Sequence, residues 1–72
     1  HAAAVAEAMA GLTPQQRTVL RLLGHGRSDK EIASALFITR RTASKHVAAI
    51  LAKLGVHSRA TAAALASRDR YA

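Results

Sequence analysis

Cysteine and tryptophan are absent from the 72 residues, and the aromatics reduce to one phenylalanine and one tyrosine. Without thiols the chain forms no disulfide and offers no thiolate to a metal, which fits a reducing compartment. No apolar run approaches the roughly 18 residues that a membrane-spanning helix needs. The opening His1-Ala2-Ala3-Ala4 lacks the methionine, basic segment and sustained apolar stretch of a signal peptide. It has the look of a cut end, so the chain is expected to be a fragment of a longer protein, cytoplasmic in location.

Acidic residues are scarce: 4 against 11 lysines and arginines, for a net charge of +7. None occurs from Ile32 through Arg68. Charge of one sign over half a chain points to a polyanionic partner, with nucleic acid or an anionic membrane surface as the usual candidates. The plainer alternative is a basic surface kept for solubility. A domain of this length buries only roughly 60% of its unfolded surface and has little material for the walls of a deep cleft. An enzyme is therefore not expected. Asp29 and Glu31, two positions apart, do not face each other as a catalytic pair. His25, His46 and His57 lack the spacing of a zinc site, and no metal or other cofactor is implied.

Half the residues are apolar, yet nearly all are Leu, Ile, Val and Ala, a composition that favours close-packed helices. Residues 1–11 are alanine-rich and read as a linker or the end of an upstream segment. Thr13 then offers a cap, Pro14 suits a first helical position, and Gln16 completes a capping box. Val19, Leu20 and Leu23 form an apolar stripe, and Gly24-His25-Gly26 stops the helix. Ser28 and Glu31 mark a second, short helix over about 29–35, with Ile32, Ala33 and Leu36 inward and Asp29 favourably placed in the first turn. Thr39 caps a third helix that reaches Leu54 before Gly55, and Ser58 caps a fourth, alanine-dominated helix to about Ser67, beyond which Arg68 to Tyr71 is expected to fray. Strand signals are missing. The fold class is all-α: a compact four-helix domain over residues 12–68, followed by a tail at 69–72.

At about 100° per residue the third helix divides into two faces. Ala43, Val47, Ile50, Leu51 and Leu54 form one apolar stripe, while Arg41, Ser44, Lys45, Ala48 and Ala52 share the opposite arc. A solvated face ordinarily mixes acids with its cations for i to i+4 support; this one has none. Its small residues leave room for a large partner to approach. With the short helix before it and a tight apolar turn between them, the pattern is that of a helix-turn-helix, whose second helix enters the DNA major groove.

The sequence resembles the LuxR-type (FixJ/NarL-type) DNA-binding domain of bacterial transcriptional regulators. The resemblance rests on Leu12-Thr13-Pro14, Val19-Leu20, Leu22-Leu23, Gly26, Asp29 to Ala33, Leu36 to Thr39, Thr42, His46-Val47, Ile50-Leu51, Lys53 to Val56 and Ser58-Arg59, in order and without gaps over residues 12 to about 67. It departs at Gln16, where the family commonly has Glu, and at Ala43-Ser44, where it commonly has Val-Lys.

These readings assign double-stranded DNA as the partner. Arg41, Ser44, Lys45 and Ala48 are the groove positions; Arg41 and Lys45 are expected to read bases, since both can donate to guanine O6 and N7. Ser28, Lys30, Thr39, Arg40, Thr42 and Arg59 are expected to position phosphates, with Ser28 and Thr39 equally explicable as caps and Arg40 as a solvated cation. Lys53 reads as solvated or as a charge favouring the helix C-terminus, and His46 as a packed, hydrogen-bonded histidine. On the fourth helix, Ala62, Ala63 and Ala66 share one side and Thr61, Ala64, Leu65 and Arg68 the other. The residues alone leave Leu65 either in the core or outward; the resemblance implies dimerisation through this helix. Two readings compete with a regulator's DNA-binding domain. One is a promoter-reading region, like that of a sigma factor, acting with RNA polymerase. The other is a basic helical module that docks on an acidic protein or membrane surface.

Overall fold

A computed structural model describes residues 7–69, with side chains through Arg68. The expectations for residues 1–6 and for the tail after Asp69 lie outside the described residues. After a helical stretch at 7–10 come α1 (Pro14–Gly24), α2 (Asp29–Leu36), α3 (Arg40–Leu54) and α4 (Arg59–Asp69), with no strand among the described residues. The all-α expectation holds. The second and fourth helices run slightly further than the sequence suggests, so Arg68 and Asp69 belong to α4 rather than to a frayed end.

The helix starts follow the expected side-chain chemistry. Thr13 Oγ1 accepts the Gln16 N–H at 3.1 Å while Gln16 Oε1 accepts the Thr13 N–H at 3.0 Å, and Ser28 and Glu31 repeat the arrangement at 3.1 and 2.9 Å. Each exchange satisfies two backbone donors that a helix end leaves orphaned. Thr39 caps α3 and Ser58 caps α4 through the N–H groups of Thr42 and Thr61.

The first three helices end by one device. Backbone N–H groups of Arg27, Ile38 and Val56 return to the carbonyls of Leu22, Ala33 and Leu51, with a left-handed residue just before each. That residue is Gly26 after α1 and Gly55 after α3, but Phe37 after α2, at φ 57° and 96% exposed. A left-handed conformation costs a residue with a Cβ roughly 1–2 kcal/mol.

The core joins Leu12, Val19, Leu20 and Leu23 to Ile32 and Ala33 of α2, Ala43, Val47 and Ile50 of α3 and Ala62 of α4. Each fully buried aliphatic such as Val19, Ile32 or Ile50 contributes roughly 1.5–3 kcal/mol. Met9, from the stretch read as linker, also packs on this core. The main packing pairs are α1 with α4 and α2 with α3, and α3 also crosses α1. Gly24 permits the α1–α4 approach: a Cβ there would lie 3.2 Å from the Ala66 Cβ. Ala62, Ala63 and Ala66 thus face inward, and half-buried Leu65 lies outside the core cluster.

Candidate nucleic-acid interface

Helix α3 is anchored by its apolar stripe, and that anchoring decides what it displays. Ala43, Val47 and Ile50 are buried and Leu51 and Leu54 pack beside them, leaving Arg41, Ser44, Lys45, Ala48 and Ala52 exposed on the opposite side. The whole helix is free of carboxylates. Arg40 is exposed at its first position.

The N-terminal end of α3 also carries oriented donors. Thr39 Oγ1 accepts the Thr42 N–H at 3.1 Å and donates its own proton to Thr42 Oγ1 at 3.0 Å. Thr42 therefore keeps its hydroxyl proton free of any described partner. A free hydroxyl donor beside the positive end of a helix dipole suits an anion. Ser28 presents a similar group: its oxygen accepts the Glu31 N–H, and among the described residues its proton has no acceptor. Lys30 is exposed two positions later.

Both acids near this end are engaged. Glu31 accepts the Ser28 N–H and lies 3.8 Å from Arg27. The backbone and side-chain hydrogen bonds to Ser28, then the Arg27 charge, hold its pKa below the ordinary 4.5. Asp29 pairs with Arg59 at 2.8 Å. Beside them the outer face of α2 and the α1–α2 turn frame an open depression of about 690 Å³, lined by Leu22, Arg27, Lys30, Glu31, Ser34 and Ala35.

The structure thus gathers Arg41, Ser44, Lys45 and Ala48 on one face of α3, with Thr39, Arg40 and Thr42 at its start and Ser28 and Lys30 at the start of α2. Arg59 is turned toward its own protein: Nη1 donates to Asp29 Oδ1 and Nη2 to the Arg27 carbonyl at 3.0 Å. On α4, Thr61, Ala64 and Arg68 are exposed and Leu65 is half-buried. No helix of the described residues is long and apolar enough to cross a membrane.

Two readings need adjustment. Lys53 stands in the last turn of α3, as one of its two readings had it, but it is not simply solvated, because its ammonium donates to Gln16 Oε1 at 2.8 Å and to the Gly11 carbonyl at 3.2 Å. His46 is half-buried as expected, but forms no hydrogen bond among the described residues. Sequence reasoning also missed the Arg59 clamp and the exposure of Phe37. Opposite charges at 29 and 59 were visible but had no local spacing to link them, whereas a phenylalanine at a helix end where glycine is usual was a readable signal.

Comparison with known proteins places the chain among bacterial regulators. The family described as bacterial regulatory proteins, luxR family, matches residues 10–66. The chain is 42% identical over 59 residues to the DNA-binding transcriptional activator DevR/DosR of Mycobacterium tuberculosis, covering 82% of this chain and 27% of that protein. It is 44% identical over 59 residues to the transcriptional activator protein BjaR1 of Bradyrhizobium diazoefficiens, covering 82% of this chain and 24% of the relative. A nitrate/nitrite response regulator protein homolog of Haemophilus influenzae is 44% identical over 54 residues, 75% of this chain and 26% of its own length. The chain spans about a quarter of the length of each of these three relatives.

Proposed function

The chain belongs to the luxR family of bacterial regulatory proteins, a DNA-binding output domain of a transcription regulator, and from that premise we propose that it docks α3 in the major groove and reads sequence there. One observation carries the reading: α3 exposes a carboxylate-free face bearing Arg41 and Lys45, while its opposite face is buried. Arg41 and Lys45 donate to base edges, and Ser44 and Ala48 let the helix sit close to them. Thr39, Arg40, Thr42, Ser28 and Lys30 hold phosphates on either side, fixing register without reading sequence.

The same reading makes the bound species a dimer through the outward side of α4, formed by Thr61, Ala64, Leu65 and Arg68, on half-sites about one helical turn apart. It places the chain in the cytoplasm, with duplex DNA. Neutralising ~4 phosphates per protomer gives a dimer a log–log salt slope of about −7, or ~10⁴ in affinity between 50 and 200 mM salt. Selection of bound duplexes from a random pool, followed by titration of selected and scrambled duplexes at fixed salt, tests the proposal. A selected duplex is expected to bind at least ~10³ more tightly. Equal affinity for both would defeat it.

A further inference from the structure

We propose that Arg59 is a positioning residue for DNA binding: by clamping Asp29 and the Arg27 carbonyl it fixes the phosphate-facing start of α2 against α4. The inference rests on the duplex-binding reading, and concerns how one part of that surface is held.

Three observations lead to it. The guanidinium engages two acceptors with two nitrogens, Asp29 Oδ1 at 2.8 Å and the Arg27 carbonyl at 3.0 Å. A planar fork on two acceptors sets direction as well as distance, which a single point charge does not. The acceptors also bracket Ser28 and immediately precede Lys30, the two α2 groups assigned to phosphate. Finally, α2 packs principally on α3. Its hydrogen-bonded link to α4, among the described residues, is this arginine. The apolar contact of Ile32 and Ala33 holds the inner side of α2, and Arg59 holds its starting end.

Electrostatics supports the same assignment. Asp29 is the one acid at the tip of α2 not already tied to Ser28 and Arg27, and an unpaired carboxylate there would repel DNA. Arg59 neutralises it. Were the same fork to bind a phosphate instead, it would release Asp29 and leave that repulsion in place. Because the Asp29 and Arg59 side chains are 28% and 43% exposed, the pair adds little to global stability; its effect is on geometry.

The test turns on a sign. Asp29→Ala removes a negative charge beside DNA, so charge alone predicts tighter binding, whereas loss of the clamp predicts weaker binding. Affinities of wild type, D29A, R59A, R59K and the D29A/R59A double variant are measured on one selected duplex at fixed salt. Circular dichroism and thermal unfolding verify that every variant is folded at the assay temperature. Expected are losses of roughly threefold or more for D29A and for R59A, with the double variant no weaker than R59A, since coupled residues do not add. R59K is expected to behave like R59A, because lysine keeps the charge but not the fork. The proposal is overturned if D29A binds as tightly as wild type or more so, if the two losses multiply, or if R59K binds normally. An R59A loss with a salt slope smaller by about one would instead make Arg59 a phosphate ligand. Failure of wild type to bind any duplex would strike the functional reading itself, a result separate from the ordering of the variants.

Discussion

Lys53 and Gln16, 37 positions apart, are joined by a 2.8 Å hydrogen bond through the same Gln16 oxygen that accepts the Thr13 N–H. One amide thus closes the capping box of α1 and fastens the far end of α3 to it. Lys53 also holds the Gly11 carbonyl, so the start of the domain and the end of α3 share an anchor.

Gln16→Glu is expected to stabilise the protein, by about 0.5–1 kcal/mol, because the carboxylate keeps the cap and gains an ion pair with Lys53 and a favourable place near the helix N-terminus. Lys53 decides the sign. In a Lys53→Met background the same change leaves a buried carboxylate without its cation, with the cap alone to hold it, and thermal unfolding should show a lower midpoint.

Phe37→Asn is expected to raise stability by about 1 kcal/mol, since asparagine tolerates the left-handed conformation better and the phenyl ring makes little contact to lose. For a domain of this size the corresponding rise in Tm is about 4–8 °C. A fall in Tm would show that the ring packs against the protein.

Glu31 provides a pH-dependent contribution. Its pKa is lowered in the folded state by the Ser28 hydrogen bonds and by Arg27, so its stabilising effect is present above the unfolded pKa and is lost as pH falls through the folded one. Glu31→Gln keeps an oxygen for the cap but does not titrate. Wild type should be the more stable at neutral pH, with the gap narrowing below about pH 4. A gap independent of pH would remove the carboxylate's charge from the explanation.

Lys45→Ala should lose roughly 1–3 kcal/mol on the preferred duplex and much less on a scrambled one. Equal weakening on both would make Lys45 a phosphate contact. Arg41→Ala tests the other proposed base reader in the same titration.

Ala64→Glu alters an exposed position of α4 and should leave folding intact. Two copies of the carboxylate brought together at the proposed dimer surface are expected to abolish cooperative occupancy of paired half-sites while sparing binding to a single one. Unchanged cooperativity in gel-shift titrations would place the dimer contact elsewhere.

Local chemistry determined most of the scaffold in advance. Thr13, Ser28, Thr39 and Ser58 announce helix starts because a side-chain oxygen within three residues satisfies orphaned N–H groups, and Gly26 and Gly55 announce ends because they enter the left-handed region freely. Periodicity likewise separated the buried stripe of α3 from the face bearing Arg41 and Lys45, since 3.6 residues per turn allow one arrangement only. The roles of Lys53 and Arg59 were different. Each is a long cation whose partners, Gln16 and Gly11 or Asp29 and Arg27, are 30 or more positions away, and no spacing rule links them. Packing of α3 on α1, and of α4 beside the start of α2, brings those acceptors within reach. Leu65 shows the same division: alternation along α4 left both faces small enough to bury, and the close approach at Gly24 and Ala66 chose the one that is.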